Sequence, residues 1–284
     1  MDGNSAKAIP YESADSSGVK SPSAVSRKPS GDIAISVQNV FQIFKGHEGK
    51  PFTAVEDVSI DVPAGQFLAI VGPSGCGKTT VLNMMAGLVA PSKGQVYLNN
   101  EEVKGPSRSM GYMFARDALL PWRTARDNVE FGLELRGVPA DARRARSQKL
   151  LKLVGLSKFE NAYPSQLSQG MRQRVALART MAIEPDIFLL DEPFAALDAQ
   201  TKLQLESEFE LLWQDTHKTA VLVTHDLDEA VALADRILVF GANPGRIILD
   251  RMTNLPRPRN VESIRYMPEF QVVAREIWEL LRSK

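Results

Sequence analysis

Eight consecutive residues, Gly72-Pro-Ser-Gly-Cys-Gly-Lys78-Thr79, carry the strongest chemical signal in this 284-residue chain. Their spacing of glycine, lysine and threonine is that of a loop that wraps phosphates. Gly72, Gly75 and Gly77 let the backbone approach an anion closely, Lys78 has the reach for β and γ phosphates, and the Thr79 hydroxyl is a hard oxygen ligand for Mg2+. Pro73, Ser74 and Cys76 fill the loop and Thr80 follows it; at Cys76 the backbone matters more than the sulfur. The run IFLLDE then delivers two carboxylates, Asp191 and Glu192, at the end of an apolar segment. Asp191 suits Mg2+ held through water, and Glu192 suits a general base that polarises an attacking water. Together these residues point to a nucleoside triphosphate and its hydrolysis.

Two further groups fit the same chemistry by position. His225 closes the run TAVLVTH and is followed by Asp226 and an apolar-periodic stretch. A histidine at a strand end is often only a polar neighbour, but here it falls where the carboxylates do. Ser168 and Gly170 stand just before the helical pattern MRQRVALART, so a hydroxyl, backbone N–H groups and a helix dipole face one point. That arrangement caps a helix, and it also receives an anion.

Each of these groups needs a strand end or a helix start to hold it. QFLAIVG, an apolar run bounded by glycine, reads as a strand buried on both faces, with a helix from Thr79 through Ala86 after it. MGYMF, DIFLLD and TAVLVTH read as further buried strands, and repeated strand, loop and helix units predict an α/β sheet. Ligands of open α/β sheets sit beyond the carboxyl ends of the strands, where Asp191, Glu192 and His225 fall. Order starts at Ile33, where IAISVQNV alternates with period two and VEDVSIDV follows, which predicts an antiparallel edge. Between about 116 and 182 the pattern turns helical, in NVEFGLELRGV, DARRARSQKLLKLVGL and MRQRVALARTMAI, and predicts a helical insertion.

Residues 1–31, crowded with Ser, Ala, Pro and Gly, read as a disordered tail too polar to offset its ordering entropy. Residues 32–250 read as the main domain, and 251–284 as a Pro-rich linker and a helix with Phe270, Val273, Ala274, Ile277 and Leu281 on one face. Lys plus Arg and Asp plus Glu each total 34, which argues against a protein built to neutralise phosphate backbones. One cysteine excludes an internal disulfide and any multi-cysteine metal site. No stretch approaches the roughly 18 consecutive apolar residues of a membrane-spanning helix, so a membrane role calls for a partner that spans. The N-terminus lacks an apolar signal core, and the cytoplasm is the expected compartment.

The ordered series LSQGMRQRVALART, LLDEPFAALD and VTHDLDEA resembles the ATP-binding subunits of ABC transporters, over nearly all of Ile33 to Phe240. The resemblance implies a P-loop NTPase fold: a RecA-like α/β core with an antiparallel β edge and an inserted α-helical subdomain, using ATP and Mg2+. By position, Leu167-Ser168-Gln169-Gly170 looks like the signature loop, whose serine and glycine contact the γ phosphate of a nucleotide held by the opposite subunit. Ala196-Leu197-Asp198 resembles the loop that crosses the dimer interface, and His225 the switch histidine at the γ phosphate. For the adenine ring the family uses an aromatic upstream of the phosphate loop. Phe41 and Phe44 are the candidates, and Phe44, next to the loop beginning at Lys45, is the better placed.

LLPWRT, together with NPGRIILDRMTNLPRPR and the final helix, is similar to the importers of nitrate, sulfonate, taurine, bicarbonate and related small anions. That similarity implies a second ATPase subunit, an integral-membrane permease and an extracytoplasmic solute-binding protein. It also implies a peripheral place on the cytoplasmic face of the inner (plasma) membrane, and no nucleic acid. Two residues depart from the pattern. Ala115 stands where the family has a glutamine, which predicts low basal turnover, and Gln169 replaces the first signature glycine. Leu119, Leu120 and Trp122 fall close to where the family's permease docks or in the helical-subdomain core, and a mixed role is expected because Pro121 breaks the helix. Two other readings stand beside this one: a soluble ABC ATPase outside transport, and a weakly catalytic nucleotide-binding regulator.

Overall fold

The structure, a computed structural model, describes residues 32–45 and 50–283. The tail 1–31 and His47 lie outside the described residues. Thirteen-residue strands β1 (Ile33–Lys45) and β2 (Pro51–Pro63) pair antiparallel, as their alternation predicts. They are followed by β3 (Phe67–Val71), α1 (Lys78–Met85), β4 (Lys93–Leu98), β5 (Glu101–Glu102) and β6 (Met110–Met113). The helical stretch supplies α2 (Ala125–Leu135), α3 (Ala140–Leu153) and α4 (Gln169–Ala182). The chain continues through β7 (Ile187–Asp191), α5 (Ala199–Thr216), β8 (Thr219–Val223), α6 (Leu227–Leu233), β9 (Arg236–Gly241), β10 (Arg246–Met252) and α7 (Pro268–Arg282).

Two sheets result. One is antiparallel, in the order β2-β1-β4-β5; the other runs β10-β9-β3-β8-β7-β6 and is parallel except at the β10 edge. Central β3 explains why its apolar run is continuous. Phe67, Ala69 and Val71 enter a core shared with α4, α5, α6 and α7, while Leu68 and Ile70 enter a second core shared with α1 and the antiparallel sheet. Each face buries its own set, and neither tolerates a polar residue. β3, β8 and β7 lie side by side and parallel, so the phosphate loop after β3, His225 after β8 and Asp191 at the end of β7 emerge along one edge.

Five elements have no counterpart in the sequence reading: β4, β5, α5, β9 and β10. Helix α5 hides for a physical reason. Its buried face carries Glu206 and Glu210 among Leu205, Phe209 and Trp213, which breaks the apolar period. Those carboxylates are neutralised from the C-terminal segment, by Arg265 on Glu206 at 2.7 Å and Arg257 on Glu210. The final helix docks on the core, with Phe270, Val273 and Ile277 fully buried and Ala274 and Leu281 packed at the margin.

The LLPWRT segment divides between core and surface. Trp122 is 71% exposed, but Leu119 is buried in the core and Leu120 is half-buried. The reason lies in the start of α2, where Thr124 and Asp127 form a reciprocal capping box and buried Asn128 ties its side chain to the Leu120 N–H and the Leu120, Arg123 and Thr124 carbonyls. That net folds Leu119 inward and leaves only the tryptophan outside.

Candidate nucleotide site

The phosphate loop joins β3 to α1 through a turn at Ser74-Gly75. Gly77 sits at φ +95°, and a Cβ there would meet Val55 Cγ2 at 2.8 Å and the Ala54 carbonyl at 3.0 Å, so both conformation and packing demand glycine. Gly75, also at positive φ, is different: a Cβ would meet nothing within 4 Å, because the loop opens there onto a cleft. Lys78 is buried, and its ammonium donates to the carbonyls of Gly72 (2.7 Å) and Pro73 (3.0 Å). The ammonium's hydrogen-bond partners are neutral carbonyls, with a weak thiol contact at Cys76, and an anion in the loop would add compensating charge. Cys76 itself is buried behind the loop, where desolvation pushes its thiol up despite the Lys78 charge.

Thr79 extends from the start of α1 to β7, donating its hydroxyl to Asp191 Oδ1 at 3.1 Å. Burial raises the Asp191 carboxyl above the usual carboxylate range, opposed by the Thr79 hydrogen bond, reinforced by the charge of Glu192 and opposed again by Lys78. A divalent cation is the natural counter-charge for such a carboxylate. Hydroxyl and carboxylate are hard oxygens, and two protein ligands suit Mg2+, which keeps several waters. The donor set therefore fits that ion.

Glu192 adopts φ +49°, a left-handed conformation that non-glycine residues avoid. Its N–H donates to Val223 O at 2.8 Å, which ties the turn after β7 to the end of β8. Its own carbonyl accepts from Gln173 of α4 at 3.4 Å. The turn aims the carboxylate at His225, whose Nδ1 lies 3.2 Å from Glu192 Oε1.

A cleft of about 370 Å3 collects Phe44, Phe52, Ala54, Ser74, Gly75, Gly77, Lys78, Thr79, Thr80 and Glu192. Asp191 and His225 join it through Thr79 and Glu192. Gly72 and Cys76 are buried behind it, and Pro73 is exposed at the rim. Phe44 lines the cleft, whereas Phe41 lies under the Lys93 ammonium on the β4 side. Phe52 escaped the sequence reading. It is the cross-strand partner of Phe44, so the hairpin register brings a second aromatic to the same mouth. An aromatic on each side of a Gly-containing loop was the available clue.

The remaining predicted residues lie outside this cleft. Ser168 is exposed and caps α4, accepting from the Met171 N–H at 3.3 Å. Gln169 opens that helix with ordinary helical backbone, so a side chain is tolerated where the family has glycine. A Cβ on Gly170 would meet the Ala196 carbonyl at 3.2 Å, so this loop abuts the turn leading to Asp198. Asp198 caps α5 through the Thr201 N–H at 3.0 Å, a bond that holds its carboxyl below the ordinary value. Ala115 is exposed, and Asp117 does not replace the missing glutamine: its carboxylate is held by Arg172 at 2.8 Å, while Arg179 donates to the Asp117 and Ala118 carbonyls.

Comparison with known proteins identifies the family. Residues 55–195 match the ABC transporter family. The chain is 48% identical, over 83% of its length and 88% of the relative's, to an uncharacterized ABC transporter ATP-binding protein of Methanocaldococcus jannaschii. It is 47% identical, over 74% of its length and 82% of the relative's, to a taurine import ATP-binding protein of Yersinia pestis. A dimeric ATP-binding cassette solved in a post-hydrolysis state with ADP and Pi superimposes with a TM-score of 0.71 at 33% identity, covering 77% of this chain and 98% of that one. The chain belongs to the ATP-binding subunits of ABC transporters and is an ATPase of that family.

Proposed function

We propose that this subunit powers uptake of a small anionic solute, of the taurine, sulfonate, nitrate or bicarbonate kind, through a separate permease. The relative named for taurine import supports the solute class. Among the described residues no helix is long and apolar enough to cross a membrane, so the pathway for solute belongs to another polypeptide. The subunit would then sit at the cytoplasmic face of the inner membrane. An extracytoplasmic binding protein would deliver the solute.

The observation that carries the hydrolytic reading is the Glu192–His225 contact beside the phosphate loop. Lys78 and the loop N–H groups of Gly75, Cys76, Gly77 and Thr79 hold the triphosphate, and Phe44 with Phe52 receives the base. Thr79 and Asp191 would hold Mg2+, which when bound neutralises phosphate charge. Glu192 takes a proton from the attacking water, the water oxygen bonds to the γ phosphorus, and ADP leaves. His225 orients this end of the cleft. Exposed Ser168 and half-buried Gly170 complete the pocket of a second ATPase subunit, with Asp198 in the loop between the two. The 32–250 segment acts as the ATPase unit, and the 116–182 helices as the part that meets the permease, through Trp122.

The test is co-expression with a candidate anion permease. Co-purification, and ATPase stimulation by taurine plus a binding protein, are expected. Full turnover without any membrane partner, unchanged on reconstitution, would favour the soluble ATPase instead.

A further inference from the structure

One half-buried cation outside the cleft has an unusual set of partners. Lys202, in the first turns of α5, places its ammonium 2.7 Å from Asp226 Oδ2, 2.8 Å from Glu229 Oε2 and 3.7 Å from Glu206 Oε1. Its side chain is 16% exposed, and those of Glu229 and Glu206 are 2% and 0%. Asp226 follows His225 directly and divides its carboxylate between two tasks. Oδ1 caps α6 by accepting from the Glu229 N–H at 3.1 Å, and Oδ2 accepts from Lys202. The turn is braced once more by the Asp226 N–H on Thr224 Oγ1 at 3.0 Å.

Traced along the chain, these contacts close a ring. From Glu192 the backbone runs through the 193–198 loop into α5, where Lys202 returns to touch the residue beside His225, and His225 in turn meets Glu192. The Glu192 N–H on Val223 O ties the two turns at the sheet, and Lys202 adds a second tie from α5. We infer that Lys202 is a positioning residue for hydrolysis, setting the His225–Glu192 geometry from the helix that begins at the interface loop. The ammonium holds Asp226 and Glu229 at the α6 entrance, so a movement of Asp198 and α5 is passed to His225 through these two ion pairs. Coulombic attraction to Glu229 and hydrogen bonds to Asp226 and Glu229 outweigh the burial that would lower the ammonium, and keep it charged.

The inference rests on the hydrolytic reading of Glu192 and His225, and the experiment separates the two. MgATP hydrolysis is measured for the unaltered chain, Lys202→Met, Lys202→Arg, Asp226→Asn and His225→Ala, with thermal melting of each. Lys202→Met is expected to lower kcat by about tenfold or more, the scale of a small misalignment of reacting groups, with KM for MgATP nearly unchanged. Lys202→Arg should restore most of it. Asp226→Asn should repeat the loss, because asparagine still caps α6 but gives up the ion pair, and it carries the test if Lys202→Met melts too low to assay. Unchanged kcat in Asp226→Asn, or a loss in Lys202→Met that appears in KM or is not restored by arginine, would overturn the positioning role. Full turnover in His225→Ala would instead overturn the site reading beneath it.

Discussion

The two halves of the nucleotide site are built in opposite ways. On the phosphate side every group is tied within the chain: Lys78 to its own loop, Thr79 to Asp191, Glu192 to Val223 and His225. On the signature side, Ser168 and Asp198 do no more than cap the helices they begin, and both stand exposed. A pre-built half and an open half are what a pocket shared between two chains requires. The closed half holds charge in low dielectric without reorganisation, and the open half stays solvated until a partner arrives.

The largest effect should come from the closed half. Glu192→Gln should cut ATPase by about a hundredfold or more while nucleotide still binds, since it removes the base and keeps the shape; equilibrium ATP binding beside turnover measures both. The open half allows a sharper test. Ser168→Arg should abolish most turnover while lowering the melting temperature only by the lost α4 cap, about 1 kcal/mol, and mixing it with the Lys78→Ala subunit should bring activity back, because one pocket of the hybrid dimer is intact. If mixing restores nothing, the serine serves its own chain and the contrast between the halves fails.

A smaller effect grades the mouth of the cleft. Phe44→Ala should raise KM for MgATP by a factor corresponding to about 1–3 kcal/mol, the value of a stacked base, and Phe52→Ala by less, since Phe52 is 48% exposed. Equal losses would make both rings base contacts of the same rank.

The smallest effect is on stability. Burial, opposed by Lys202, holds the Glu229 carboxyl up at about 7. The folded chain keeps this proton where the unfolded chain loses it near the ordinary carboxylate value. The residue's contribution is therefore complete below that value and is lost as pH rises through about 7. Melting of the unaltered chain should fall between about pH 5 and about pH 8 by more than that of Glu229→Gln. Parallel curves would show that the Lys202 cluster does not titrate.

Much of the closed half was legible because its geometry is local. A glycine pattern between a strand and a helix places N–H groups, lysine and hydroxyl within one turn, and strand-end residues of a parallel sheet share an edge. Phe52 was missed because its place depends on hairpin register across a loop. Helix α5 was missed because two glutamates on its buried face find their arginines some fifty residues later. The inward turn of Leu119 depended on Asn128, whose four hydrogen bonds could not be foreseen from an apolar run.

The residue series alone determined the chemistry: a phosphate loop, a carboxylate pair and a histidine in the order of an ABC ATPase, since short-range spacing dictates which groups a strand end or helix start presents. Only the tertiary structure decided which of these groups meet. The His225–Glu192 contact, the Lys202 ring and the exposure of Ser168 arise between segments far apart in the chain, where packing and charge compensation set positions that no local pattern encodes.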